Sequence, residues 1–148
     1  MRIIIIDPIK REVTQKIISE FFPAVKDVIG DWVESVFEME NGDRLYCDEN
    51  GLEKTPQHFF RIVGVNQPIA GIGVLTGRET ETGVTLGVQS SIYQIKNKVE
   101  FMARADFDRW VIAHQDKTLM EVRTFDGHNE VVVYRKTFGD LLKDAKKN

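Results

Sequence analysis

Two Asn-Gly pairs and a glycine-punctuated apolar run, all between Val33 and Gly83, restrict what this chain can fold into: VESVFEMENGDRLYCDENGLEKT, then QPIAGIGVLTGRETETG. Trp32 to Met39 alternates Val33, Ser35, Phe37 and Met39 against Trp32, Glu34, Val36 and Glu38, the period of a half-buried strand. Asn41-Gly42 then supplies the positive φ angles of a two-residue hairpin turn, and Arg44 to Cys47 is the returning strand. Asp48-Glu49-Asn50-Gly51 repeats the turn chemistry. Thr55 and Pro56 read as the N-cap and first position of a short helix, Pro56 to Val63, carrying Phe59, Phe60, Ile62 and Val63. Pro68 to Thr76 reads as a strand in which Gly71 and Gly73 lack side chains, implying a bulge or close approach by another backbone or a ligand. Gly77 to Gly83 is its polar loop.

The flanks extend the same pattern. Ile3 to Ile6 is a short apolar run stopped by Asp7-Pro8, suited to a strand buried on both faces. Val13, Ile17, Ile18, Phe21 and Phe22 fit a helical stripe, yet the alternation from Glu12 to Ile17 favours a hairpin turning at Pro8-Ile9-Lys10. Pro23 opens a helix that runs to Ile29 and is ended by Gly30. Ser90 to Lys98 fits either a helix through Ile92, Ile95 and Val99 or a hairpin turning at Asn97-Lys98. Asp106 reads as a cap before Phe107, Trp110, Val111 and His114. Leu119 to Phe125 and Glu130 to Tyr134 flank Asp126-Gly127 as a further hairpin, and Phe138 to Lys147 reads as a charged terminal helix. The expected class is α+β: a mostly antiparallel sheet with short helices and a C-terminal hairpin extension. The loop from Gly77 to Thr85 divides an N-terminal module, residues 1–83, from an extension, residues 84–148, the two expected to pack as one compact domain.

Composition narrows the function classes. A chain of 148 residues that is 42% hydrophobic can bury one substantial core without staples. A net charge of −3 and a pI near 5.6 supply no global basic field for phosphate backbones, so nucleic acid is not the favoured partner. The single cysteine, Cys47, can form no intramolecular disulfide and shares no zinc site with another thiol, which suits a reducing cytoplasm. Asp7 and Pro8 interrupt MRIIIID far short of a signal-peptide core or a membrane span, so no membrane association is expected.

The opening RIIIIDP, the VIGDWVESV junction, the LYCDENGL turn and QPIAGIGVLTGRETETG carry a resemblance over about residues 2–83. This stretch resembles an uncharacterised domain family of tailed phages and mobile elements, a domain of unknown function. The resemblance implies a small α+β domain with an N-terminal strand pair, a crossing helix and a meander in a phage or prophage setting. It implies no activity and no catalytic residue.

The residues able to carry chemistry do not assemble into a motif. Gly71, Gly73 and Gly77 lie within and after a predicted strand rather than between a strand and a helix N-terminus, so they do not form a dinucleotide fingerprint. His58, His114 and His128 have no histidine partner at metal-ligand spacing. Cys47 sits beside Asp48 and Glu49, whose charges oppose a thiolate. Asp48, Glu49, Glu53, Glu79 and Glu81 gather in turns but lack the calcium-loop pattern. Lys96, Lys98, Arg104 and Arg109, interleaved with Tyr93, Phe101 and Trp110, come nearest to a nucleic-acid surface. No cofactor or metal is called for. These readings favour a non-catalytic phage-type accessory protein that binds a protein or small ligand and self-associates, in the simplest case as a homodimer; the alternatives are a nucleic-acid-binding module and an enzyme whose site matches no familiar motif. The expected contact centres on Gln67, Gly71, Gly73, Gly77 and Arg78, where missing side chains permit close approach and Arg78 offers a fork of donors beside the acidic turn at Asp48 and Glu49.

Overall fold

The computed structural model describes residues 1–64 and 67–114, and the backbone of residues 118–126 and 129–137. It divides between Arg104 and Ala105 into two compact units.

Ten strands and three α-helices follow one another through these residues: β1 (Arg2–Asp7), β2 (Glu12–Ile17), α1 (Phe21–Ile29), β3 (Val33–Glu38), β4 (Arg44–Asp48), β5 (His58–Ile62), β6 (Ile69–Ala70), β7 (Gly73–Thr76), α2 (Ile92–Lys96), β8 (Val99–Ala103), α3 (Arg104–His114), β9 (Thr118–Asp126) and β10 (Asn129–Thr137), with a 3-10 helix at Gly51–Lys54 between β4 and β5. The first unit holds a five-stranded sheet in the order β2-β1-β7-β4-β3 and a three-stranded sheet in the order β6-β5-β8. Every strand pair among the described residues is antiparallel. The class is therefore α+β.

Alternation along the strands builds two cores. Ile4 and Ile6 of β1, Leu45 and Cys47 of β4 and Leu75 of β7 face Phe60, Ile62 and Ile69 of the second sheet and Ile95 of α2. The intervening Ile3 and Val74 turn the other way, with Tyr46 packed beside them, and meet Val25, Phe21 and Val28 of α1. The five-stranded sheet thus separates α1 from the second sheet, and its central strands are apolar on both faces because both are covered. Residues 84–104 belong to this unit: Val88 lies in the larger core, and its N–H donates to the Arg2 carbonyl at 2.8 Å.

Local chemistry explains the element ends. Asp7 Oδ1 accepts from the N–H groups of Ile9 and Lys10 at 2.9 and 3.2 Å, turning the chain from β1 into β2 at the expected place. The helix expected from Pro23 begins two residues earlier, at Phe21, and ends at Gly30 with φ +89°. Ser91 and Gln94 form a reciprocal capping box on α2, which resolves the open reading of Ser90 to Lys98: the helix is followed by a turn at Asn97-Lys98 and then β8.

Four expectations need correction. The β3–β4 turn is a three-residue loop, closed by Met39 N–H to Asp43 O at 2.7 Å and Gly42 N–H to Met39 O at 2.9 Å. Only Gly42 has positive φ, because the Asn41 side chain instead accepts from Asp43 N–H at 3.0 Å. The helix expected from Pro56 to Val63 is β5, whose Phe59 and Phe60 are both fully buried. Thr55 adopts a left-handed φ of +54° rather than the extended geometry of an N-cap. The single strand expected from Pro68 to Thr76 is two, β6 and β7, in different sheets, with the chain crossing at Gly71, φ +79°. Asp106 lies inside the first turn of α3 rather than before it.

The second unit carries most of α3 and the expected hairpin, β9 paired with β10 from Asn129↔Asp126 to Thr137↔Thr118. The turn residue Gly127 and the expected helix at 138–147 lie outside the described residues.

Candidate functional site

Of the five residues expected to centre a contact, Arg78 alone is exposed; Gln67 and Gly71 are half-buried, and Gly73 and Gly77 are buried. Gly71 N–H donates to the His58 carbonyl at 3.1 Å, which ties the sheet crossing to β5. A Cβ at Gly73 would lie 2.4 Å from Phe60 Cζ, so the close approach there is made by a core ring. At Gly77 a Cβ would lie 2.2 Å from the Gly87 carbonyl oxygen, within backbone that also receives Gly77 N–H at Leu86 O. The stem of Arg78 lies over Gly42, its Cβ 3.4 Å from where a Gly42 Cβ would be. Gly77 and Arg78 therefore gather at the β3–β4 turn, while Gly71 and Gly73 lie toward the other end of β7. Arg78 stands at the Arg44 end of β4, away from Asp48 and Glu49.

What this end of the sheet does hold is a buried carboxylate. Asp43 is 0% exposed; its Oδ1 accepts from Gln89 N–H at 2.9 Å and its Oδ2 from Ser90 N–H at 2.8 Å and the Ser90 hydroxyl at 2.6 Å. Asn41 Nδ2 adds donations to Asp43 Oδ2 at 3.2 Å and to Ser90 Oγ at 3.0 Å. The Arg2 guanidinium reaches the same segment, donating to the carbonyls of Val88 and Ser90 at 2.7 and 2.9 Å. Both Asp43 oxygens are thus engaged by fixed donors, and the group acts as a clasp holding residues 88–90 on the hairpin turn.

At the opposite end of β4, Lys54 Nζ bridges Asp31 and Asp48, the latter at 2.7 Å. The hydrogen bond from Lys54 holds the Asp31 carboxyl below its ordinary range, whereas burial, followed by the charges of Glu49 and Asp48, pushes Glu34 upward. Cys47, opposite Glu34 in the β3–β4 ladder, is pushed up to about 12 by burial first and by Glu34 and Asp48 next. Among the described residues no three His, Cys, Asp or Glu side chains are grouped to hold a metal ion. His114 stacks on Trp110 with centroids 4.3 Å apart, His58 is exposed, and His128 lies outside the described residues.

The Cys47 geometry gives a direct test. A thiol whose folded pKa lies above its ordinary 9.0 contributes stability that is complete below pH 9 and lost as pH rises toward about 12. Over that interval the expected loss is about 1.4 kcal/mol per pH unit from this group. Urea unfolding of wild type and Cys47→Ala between about pH 8 and about pH 11 should show a steeper alkaline decline in wild type. Parallel declines would contradict the assignment. Native Cys47 should also resist thiol reagents at neutral pH and react on unfolding.

Two further exposed rings lie on α1 and just after it. Phe21 turns inward, edge-on to Tyr46 at 5.1 Å, which leaves Phe22 on the outer side, 53% exposed. Lys26, one helical turn from Phe22, places its ammonium 3.9 Å from the centroid of Trp32, itself 56% exposed. Asp31 Oδ1 accepts from Trp32 N–H at 2.7 Å, and the Trp32 carbonyl accepts from Glu49 N–H at 2.9 Å, which fixes the backbone beneath the indole. Phe22 and Trp32 are thus exposed rings, with the half-buried Lys26 over the Trp32 ring and one helical turn from Phe22. The sequence signal was present in the spacing of Phe22 and Lys26, but the core-facing stripe of the same helix masked it.

The basic and aromatic residues from Tyr93 to Trp110 divide by environment. Tyr93 is 74% exposed and shares α2 with the exposed Lys96, with Lys98 following, whereas Trp110 is buried. Arg104 donates to the Pro56 carbonyl at 3.2 Å, and Arg109 pairs with Asp106. Arg109 and Trp110 belong to the second unit. Among the described residues no helix is long and apolar enough to cross a membrane.

No protein-family model matches the chain, and searches of curated proteins and of solved structures likewise give no match.

Proposed function

We propose that this chain is a non-catalytic accessory protein of phage or prophage type, working in the cytoplasm by binding a protein partner or a small ligand. The resemblance over residues 2–83 supplies the setting. The observation that carries the binding role is the Phe22–Lys26–Trp32 strip, since exposed aromatic rings around a cation combine apolar area with a charge able to select its partner. A protein surface offering an apolar side chain beside a carboxylate fits this chemistry best. The expected test is affinity capture from cells that express the chain, comparing wild type with Phe22→Ser/Trp32→Ser. A partner retained by wild type and lost by an equally folded double variant supports the reading; identical capture by both removes the strip from it.

A nucleic-acid-binding role is the second reading, and Tyr93 with Lys96 and Lys98 is the feature that favours it. Binding to single-stranded oligonucleotides that falls with salt and is lost in Tyr93→Ala would establish it over the first.

A further inference from the structure

The backbone of β2 points to a second copy of this chain as its partner. Ile18 N–H donates to the Met1 carbonyl at 2.8 Å and the Met1 nitrogen donates to the Ile18 carbonyl at 2.6 Å, so these two residues are a reciprocally bonded pair. The register then runs unbroken from Arg2↔Ile17 to Asp7↔Glu12. Antiparallel ladders alternate bonded and non-bonded pairs, so Lys16, Thr14 and Glu12 turn their backbone groups toward β1. Val13, Gln15 and Ile17 turn theirs outward from the sheet edge.

We propose that β2 pairs antiparallel with β2 of a second copy about a two-fold axis at Gln15, joining the two five-stranded sheets into one. This surface is separate from the α1 strip and does not depend on it. Centring the axis on Gln15 sets all three outward residues against outward residues: Val13 against Ile17 of the second copy, Gln15 against Gln15, and Ile17 against Val13. Each such pair can exchange both of its hydrogen bonds. Ile17, 73% exposed at the edge, gains Val13 of the second copy as a β-branched cross-strand neighbour. On the other face, Lys16 of each copy stands opposite Thr14 of the other and one diagonal step from both Glu12 and Lys16 of that copy, whereas an in-register parallel arrangement would set every like charge directly against its own counterpart. The opposite edge, β3, is not equivalent: its ladder shifts register between Ser35 and Phe37, and it carries Glu34 and Glu38.

Sedimentation equilibrium of the full chain tests this at concentrations up to about 1 mM, where even an association at the weak end of specific binding registers. Wild type should rise from 17.0 kDa toward twice that mass. Ile17→Lys should remain at the single-chain mass with unchanged circular dichroism. Gln15→Pro should do the same, because it removes an outward N–H and leaves the β1 ladder intact. Lys16→Glu should weaken the dimer by about threefold or more, and adding Glu12→Lys should restore it. A wild type that stays at 17.0 kDa throughout, or a dimer that a folded Ile17→Lys leaves unchanged, would overturn the proposal. If Gln15→Pro fails to fold, Ile17→Lys and the charge exchange decide.

Discussion

Asp43→Ala should lower the unfolding free energy by about 3–5 kcal/mol, against about 1–2 kcal/mol for Ser90→Ala. The difference follows from what each substitution leaves behind. Removing the Asp43 carboxylate strands the N–H groups of Gln89 and Ser90 and the Ser90 hydroxyl proton, and leaves the Asn41 amide only its bond to Ser90 Oγ, at a position where the carboxylate itself is fully buried. Removing only the Ser90 hydroxyl leaves the two backbone donations to Asp43 in place. An unsatisfied buried donor costs more than a made hydrogen bond contributes, so the carboxylate deletion is the harsher change. Urea unfolding monitored by tryptophan fluorescence measures both. A loss below about 1 kcal/mol for Asp43→Ala would mean that residues 88–90 are held by something other than this clasp.

Gly73→Ala should cost about 2–4 kcal/mol although it adds a single methyl group. The new Cβ would stand 2.4 Å from Phe60 Cζ, 2.9 Å from Phe60 Cε1 and 3.2 Å from Leu45 Cδ1. Phe60 is fully buried between the two sheets, so its ring can move only within the packed core. Shortening that ring should relieve the clash: Phe60→Leu alone costs about 1–2 kcal/mol, and the double variant should be more stable than the sum of the singles by at least about 1 kcal/mol. Strict additivity in this cycle would show that Phe60 is not the side chain the new methyl group displaces. The same contact bears on any binding assay with Gly73→Val, because lost binding there reports core packing before it reports a ligand.

How much of this was legible in the sequence depended on how local the determining interaction is. The β1–β2 and β3–β4 hairpins could be read because alternation and turn residues lie within a few positions of one another. The turn class could not, because it depends on whether Asn41 uses its own left-handed conformation or its side-chain oxygen. HFFRI was misread because Thr55-Pro56 imitates a helix start, while the burial of adjacent rings that makes it a strand is imposed by both neighbouring strands. The break at Gly71 looked like a bulge because nothing local distinguishes a bulge from a passage between sheets. Asp43 was missed altogether. Its backbone donors lie 46 and 47 residues away, and a carboxylate in a turn has no local mark of burial. Of the two strand glycines read as places of close approach, Gly73 does meet a neighbour, the core ring of Phe60, whereas a Cβ at Gly71 would meet nothing within 4 Å.

The role assigned to the α1 strip is tested most directly by a photo-reactive phenylalanine analogue placed at position 22 in cells that express the chain. The control carries the same analogue at the exposed Val63, immediately after β5, in the sheet packed on the face opposite α1. Illumination should give a discrete heavier adduct from position 22, absent from position 63 and abolished by Trp32→Ser. Equal adducts from both positions, or none from position 22, would contradict a binding surface built on Phe22, Lys26 and Trp32.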